Sequence, residues 1–163
     1  MKKILILLSL VLLLSGCEKT KIISEEADMS GYKKLEEKYY KRFKAIKLDG
    51  LQDLIENNKT AYIYLGYTGC EHCQDLVKEL VQLNKKVTFY YLDAMYVVSE
   101  EEIYNKTIEY LNDALEENDE NKKTIQTPEI IKFVNGKITD YYLGYEEGNE
   151  EDIAQYREVL KES

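Results

Sequence analysis

The chain of 163 residues has few of the residues on which many binding sites depend: no tryptophan, one proline, one histidine and three cysteines. A structural zinc ion needs four ligands, and with His72 as the only histidine the sequence offers no second Cys/His cluster to complete such a set. Basic residues are also in the minority, 22 against 31 acidic ones, for a formal net charge of −9. Such a surface repels nucleic acid, so we expect no nucleic-acid partner and no metal site.

A long apolar span is missing too. Residues 1–17 read "MKKILILLSLVLLLSGC", in which two lysines precede an apolar run over 4–14. This run is shorter than the roughly 20 residues that cross a bilayer, and the layout is that of a secretory signal. The ending Leu14-Ser15-Gly16-Cys17 resembles the bacterial lipobox. The resemblance implies removal of residues 1–16 and attachment of diacylglycerol to Cys17; a plain secretory signal with a coincidental cysteine is the alternative.

If Cys17 carries lipid, two or more acyl chains give a stable anchor without any basic patch. We therefore expect an extracytoplasmic protein held by lipid at the outer face of the cytoplasmic membrane. Residues 17–30 are polar without sustained periodicity and are expected to form a flexible tether. The domain proper is assigned to 31–163, with its core in 43–163.

The rest of the chain alternates between two periodicities. Apolar residues at helical spacing predict an N-terminal helix over 32–43, and strands and helices then follow in the order β-α-β-α-β-β-α. Alternation of strands with helices favours parallel pairing by crossover. Asn135-Gly136 lies between the last two strands and is the strongest short signal for an antiparallel hairpin. The sequence thus predicts a central mixed sheet with helices on both faces.

The remaining cysteines, Cys70 and Cys73, lie where the apolar strand 60–67 gives way to an amphipathic helix. N–H groups at a helix start have no intrahelical partner, and the helix dipole adds partial positive charge there. In such settings thiol pKa values fall from about 8.5 to about 3.5–7.5, and only the thiolate attacks a disulfide. We therefore predict Cys70 as an exposed nucleophile and Cys73, one turn later on the inward face, as the buried resolving thiol.

Two residues between the cysteines are expected to modulate their chemistry. The imidazole of His72 beside the Cys70 sulfur favours the thiolate, whereas the carboxylate of Glu71 raises the pKa of a neighbouring thiol. The two effects oppose each other.

Together with Thr127-Pro128 before a hairpin, Cys70-Glu71-His72-Cys73 at a helix start resembles the thioredoxin-like fold. The resemblance implies a three-layer α/β/α arrangement with a central mixed sheet. It also implies a cis bond before Pro128 that lies against the cysteines, and a Thr127 backbone that pairs with the substrate chain. The partners would be protein or peptide thiols and disulfides, with a membrane redox protein as donor or acceptor and no cofactor.

The sequence departs from thioredoxins proper at two positions. Gly69 replaces the Trp before the first cysteine, and Tyr64 replaces a buried acid, so an efficient general reductase is disfavoured. The lipoprotein signal and "YLGYTGCEHCQ" also resemble the bacteriocin transport accessory proteins. The region 93–126 is longer than its thioredoxin counterpart, which predicts an extra helix or a longer loop near the site.

Two other classes of function stay open. Two thiolates and His72 could carry a soft metal ion such as Cu(I). A binding lipoprotein without catalytic activity could use the pair as a structural disulfide, although closing so small a loop stabilises little.

Overall fold

The computed structural model describes residues 21–115 and 122–161. These residues form one six-stranded sheet with five α-helices and a 3-10 helix. In chain order the elements are β1 (Glu25–Glu26), the 3-10 helix (Glu37–Arg42), β2 (Phe43–Ala45), α1 (Leu48–Glu56), β3 (Ala61–Gly66), α2 (Glu71–Leu83), β4 (Phe89–Asp93), α3 (Ala94–Val97), α4 (Glu101–Ala114), β5 (Glu129–Val134), β6 (Lys137–Leu143) and α5 (Glu150–Val159).

The sheet is mixed, with the strand order β1-β2-β4-β3-β5-β6. Strands β2, β4 and β3 are parallel, whereas β1, β5 and β6 pair with their neighbours in antiparallel fashion. We call the end of the sheet at Gly66, Asp93 and Glu129 the carboxyl edge, because β3 and β4 end there. The opposite end, at Ala61, Phe89 and Val134, is the amino edge. The topology brings the residues after β3 and those before β5 together at the carboxyl edge.

Strand β3 is buried on both sides, as its apolar and aromatic sequence predicts. Tyr64 faces one hydrophobic core, which is completed by α2 and α5, while Ile63 and Leu65 face a second core completed by α1, α3 and α4. Helices therefore cover both faces of the sheet. The predicted fold class, a thioredoxin-like three-layer α/β/α arrangement around a central mixed sheet, is confirmed.

The hairpin between β5 and β6 is also confirmed. Asn135 and Gly136 have φ angles of 51° and 74°, which are the left-handed values that a two-residue hairpin turn requires. A Cβ at Gly136 would lie 2.4 Å from the carbonyl oxygen of Ile55, so close approach of the backbone restricts this position as well.

The predicted N-terminal helix is shorter and tighter than expected. Only Glu37–Arg42 is helical, as a 3-10 helix, while Tyr32 and Leu35 are buried in turns before it. Their amides donate hydrogen bonds to Met29 and Tyr32, respectively, three residues back. Packing of two large apolar side chains into the core prevails here over the helical periodicity of the sequence.

The expected tether over 17–30 differs from the structure over residues 21–30, which pack onto the domain. Ile22, Ala27 and Met29 are buried, and β1 pairs with β2 through Glu25 and Glu26. Single buried apolar residues and a two-residue strand leave no periodic pattern, so no local signal predicts this packing. The predicted signal peptide over 1–16, the lipidation site Cys17 and the first part of the tether lie outside the described residues.

The region 93–126 contains two helices in its described part. Helix α3 follows β4 directly at the carboxyl edge, and α4 then packs against α1. Within the two described ranges no helix has both the length and the apolar character needed to cross a bilayer.

Candidate active site

The turn after β3 positions the first cysteine. The amide of Cys70 donates a hydrogen bond to the Tyr67 carbonyl at 3.2 Å, and the Cys70 carbonyl accepts one from the Gln74 amide at 3.1 Å. Cys70 itself has an extended backbone, with φ −88° and ψ 118°, and is the N-cap residue of α2. The strand-turn-helix sequence thus places its side chain at the first turn of the helix.

The Cys70 sulfur occupies the place that an oxygen takes in an ordinary N-cap. It accepts a hydrogen bond from the backbone N–H of Cys73 at 3.1 Å. The two cysteines are joined by a disulfide, with their Cα atoms 5.1 Å apart. When this disulfide is reduced, the same N–H group and the helix dipole favour negative charge on the Cys70 sulfur.

The two sulfurs differ in access to solvent, although less than the sequence indicated. Cys70 is 9% exposed and Cys73 is 0% exposed. The expectation of an exposed nucleophile is therefore wrong: Cys70 is mostly buried, and the Thr127 hydroxyl lies against its sulfur. The predicted order of access, with Cys70 outside Cys73, agrees with the structure.

The segment before β5 lies against the cysteine pair. The Thr127–Pro128 peptide bond is cis, as the resemblance implied. The Thr127 hydroxyl donates a hydrogen bond to the Cys70 sulfur at 3.8 Å. The Pro128 carbonyl accepts a hydrogen bond from Gly144, whereas the main chain of Thr127 makes no hydrogen bond with another described residue.

Glu71 and His72 are the first two residues of α2, and both are exposed. They lie at the carboxyl edge next to Cys70 in the chain. Their effect on the thiols stays a prediction.

Aromatic hydroxyl groups lie beneath the cysteines. The Tyr64 hydroxyl donates a hydrogen bond to the Cys73 carbonyl at 3.2 Å, and its ring packs against those of Tyr32, Phe43 and Tyr91. Burial raises the pKa values of Tyr32, Tyr64 and Tyr91 far above their usual range, so these phenols stay neutral. Tyr64 therefore holds the first turn of α2 through a hydrogen bond and contributes no charge to it.

The segment around Gly31 also packs against the site, and sequence reasoning did not predict it. The side-chain amide of Gln74 donates hydrogen bonds to the carbonyls of Thr68 at 2.6 Å and Gly31 at 2.9 Å. Three residues after Gly31, Lys34 forms an ion pair with the buried Asp75, the residue next to Gln74. The segment around Gly31 is thus fixed against the cysteine turn. No signal in the sequence pointed to it, because these contacts join polar residues 41 and 43 positions apart.

A buried ion pair follows the cis bond directly. Glu129 is 2% exposed and pairs with Lys123, which is 6% exposed. Glu129 lies opposite Leu65 in the antiparallel ladder, so its side chain is on the sheet face away from Cys73. No pattern in the sequence indicated this pair. Among the described residues no cluster of three or more His, Cys, Asp or Glu side chains is placed to hold a metal ion.

Comparison with known proteins concerns two parts of the chain, the N-terminal segment and the folded domain. A family model for the prokaryotic membrane lipoprotein lipid attachment site matches residues 1–17. No curated protein sequence matches the chain. A crystal structure of thioredoxin from Aeropyrum pernix is similar at 17% sequence identity and a TM-score of 0.42, over 71% of this chain and 85% of that one. A likeness this weak carries no argument about function, and nothing in these comparisons supports the narrower bacteriocin transport accessory assignment. The chain combines a lipoprotein lipid attachment site with a mixed α/β domain whose cysteine pair lies at a helix start.

Proposed function

We propose that the protein is a membrane-tethered, extracytoplasmic thiol–disulfide oxidoreductase that acts on protein or peptide substrates through Cys70 and Cys73. The observation that carries the proposal is the setting of the Cys70 sulfur. It accepts the Cys73 N–H on one side and the Thr127 hydroxyl on the other. A structural disulfide needs neither donor, whereas a thiolate nucleophile is stabilised by both.

In the reducing direction the Cys70 thiolate attacks a substrate disulfide. A Cys70–substrate disulfide forms, and the other substrate sulfur leaves as a thiolate. Cys73 then loses its proton to solvent and attacks the Cys70 sulfur, which releases the second substrate thiolate and closes the Cys70–Cys73 disulfide. Oxidation of a substrate dithiol is the same sequence in reverse. The shielding of Cys73 keeps it from reacting with substrate before Cys70 does.

Thr127 is proposed to bind the substrate chain. Its main chain makes no hydrogen bond with another residue of the described ranges, and it lies at the carboxyl edge beside the Cys70 sulfur. An extended substrate segment can add there as a short strand and present its sulfur to Cys70.

The lipid attachment site supports a location at the membrane, with Cys17 as the acylated residue. The predicted partner there is a membrane redox protein that restores the cysteine pair after each turnover.

The test is a trapping experiment. Cys73→Ser leaves Cys70 able to attack but removes the thiol that resolves the mixed disulfide, so we expect disulfide-linked adducts on non-reducing gels that disappear with dithiothreitol. Cys70→Ser is the matched control and should trap nothing, because the buried Cys73 has no access to substrate. Absence of adducts from a Cys73→Ser protein whose Cys70 can still be alkylated would contradict the proposal and favour a structural disulfide.

The modulating residues give a finer test of the same site. Replacing Glu71 by Gln removes a negative charge near the Cys70 thiolate, which should stabilise the reduced form and raise the reduction potential. Replacing His72 by Ala removes a group that favours the thiolate and should lower it. Equilibration with glutathione buffers measures both shifts, and shifts in the opposite directions would contradict the assigned roles.

A further inference from the structure

The place where the chain joins the domain is fixed by three hydrogen bonds. The Lys59 ammonium group donates to the Lys21 carbonyl at 3.1 Å and to the Asp53 carboxylate at 2.6 Å. The same Asp53 oxygen accepts the backbone N–H of Ile23 at 3.0 Å, and Ile22 between them is buried. The first described residues are therefore held against the end of α1.

This position lies toward the amino edge of the sheet. Lys59 precedes β3 by two residues, and its carbonyl accepts a hydrogen bond from Gly136 in the hairpin turn. Cys70, in contrast, follows the end of β3 by four residues. The five Cα–Cα steps of β3 span about 17 Å at about 3.3 Å per residue. The cysteine pair and the anchoring point of the chain are thus separated by the length of the central strand.

The distance from Cys17 to this point is limited by covalent geometry alone. Four Cα–Cα steps join position 17 to position 21, which span at most about 14 Å when fully extended. That is less than the length of β3, so a lipid on Cys17 cannot be drawn along the domain to the carboxyl edge.

We infer that the carboxyl edge, with Cys70 and Thr127, is held off the bilayer and does not face it. The inference rests on the proposed lipidation of Cys17 and gives the proposed exchange reaction a class of partner. That partner presents its cysteine on a segment that extends into the aqueous phase. Cysteines held within the headgroup layer lie out of reach.

The test uses the full-length lipidated protein in vesicles that carry an acceptor dye on their lipid headgroups. The donor dye is placed on Cys70 in the Cys73→Ser variant. The matched control carries it at Glu56→Cys, in a protein with Cys70→Ser and Cys73→Ser, because Glu56 is exposed at the last residue of α1 near the anchoring point. We expect energy transfer to the lipid dye to quench the donor at position 56 more strongly than the donor at position 70.

Equal quenching at the two positions, or stronger quenching at position 70, would overturn the inference. Failure of the protein to float with the vesicles would overturn it as well, because the lipid anchor would then be absent. Neither result depends on disulfide exchange, so a failure here is distinct from a failure of the trapping experiment.

A functional measurement complements the distance measurement. The rate of exchange is compared for a soluble disulfide peptide and for the same peptide coupled to a headgroup by a short spacer. We expect the wild-type protein to prefer the soluble peptide. Insertion of 20 Gly/Ser residues after Glu18, with a mean span of about 25 Å, should reduce that preference severalfold. An unchanged preference after the insertion would contradict a limit set by tether length.

Discussion

The two faces of the central sheet are built from different residues. Seven buried aromatic side chains lie on the face that carries the cysteines: Tyr32, Phe43, Tyr64, Phe89, Tyr91, Tyr145 and Tyr156. On the opposite face, Phe133 is the one fully buried aromatic ring among the described residues; the other buried side chains are aliphatic, with partly buried tyrosines packed around them. Adjacent residues of the same strand therefore enter different environments, as Tyr64 and Leu65 do.

The two faces also differ in the kind of polar group that they bury. The cysteine face buries several neutral hydroxyl groups, of which Tyr64 bonds to the Cys73 carbonyl. Among the ion pairs of the described residues, Lys123 with Glu129 is the most deeply buried, and it lies on the aliphatic face, whereas the buried Asp75 of α2 pairs with the exposed Lys34. Neutral hydroxyls cost little to leave unpaired in comparison with a buried charge. The fold thus places its most sensitive electrostatic contact behind the cis bond, on the face away from the thiols.

The largest effect is expected from breaking that pair. Lys123→Met leaves the Glu129 carboxylate buried without its cation, and we expect a loss of about 3–5 kcal/mol in the free energy of unfolding. Burial already raises the pKa of Glu129 against the opposing effect of Lys123. Loss of the cation raises that pKa further. Urea denaturation measures the change.

The sign of the pH dependence follows from the raised pKa of Glu129. A carboxyl whose folded pKa lies above its unfolded value contributes most below the unfolded pKa, and that contribution is lost as pH rises through the folded pKa. The deficit of Lys123→Met should therefore be smaller near pH ~4 than near pH ~7. The double variant Lys123→Met/Glu129→Leu is the control and should regain most of the stability. If the single variant is as stable as the double variant at neutral pH, the Glu129 carboxylate is not held in a buried site without a cation.

The second-largest effect on stability is expected from replacing one glycine on each face of the sheet by alanine. On the aliphatic face a Cβ at Gly50 would lie 2.2 Å from the Ile23 carbonyl oxygen, a backbone atom fixed by the packed N-terminal segment. On the cysteine face a Cβ at Gly31 would lie 2.6 Å from a methyl group of Thr68, whose side chain is exposed and can rotate. We expect Gly50→Ala to cost about 1–3 kcal/mol and Gly31→Ala less than about 1 kcal/mol. Thermal unfolding of both variants checks the order, and a Gly31→Ala variant less stable than Gly50→Ala would contradict it.

The sequence predicted the sheet well because its signals are local. The alternation of apolar and polar residues, the Asn135-Gly136 turn and the break between β3 and α2 each depend on a few adjacent residues. The packed segment 21–30 and the 3-10 helix were not predicted, because they are held by contacts with distant elements. Helix α1 begins at Leu48 without a side-chain cap, so a local capping signal does not mark its start.

The site was predictable to the same extent. Cys70, Cys73, Thr127 and Pro128 were found because a sulfur pair and a single proline are rare in this chain. Gln74 was not found, because its side-chain bond to the Gly31 carbonyl exists only once the N-terminal segment has folded back. Partial burial of Cys70 was missed for a similar reason, since Thr127 covers it from 57 positions away.

The smallest effect concerns the hydroxyl groups of the cysteine face. Tyr64→Phe removes the hydrogen bond to the Cys73 carbonyl and should cost about 1 kcal/mol. Tyr32→Phe is the matched control, because the buried Tyr32 hydroxyl lies near the Tyr64 and Tyr91 hydroxyls but makes no well-formed hydrogen bond with a described residue. Its removal leaves no partner unsatisfied and should be neutral or slightly stabilising.

Urea denaturation of the oxidised variants measures the difference between them. If Tyr32→Phe costs as much as Tyr64→Phe, the hydroxyls beneath the cysteines act as a coupled network, and the cysteine face is then as sensitive to polar changes as the aliphatic face. If only Tyr64→Phe has a cost, the sensitivity of this face is confined to the one hydroxyl that holds the first turn of α2.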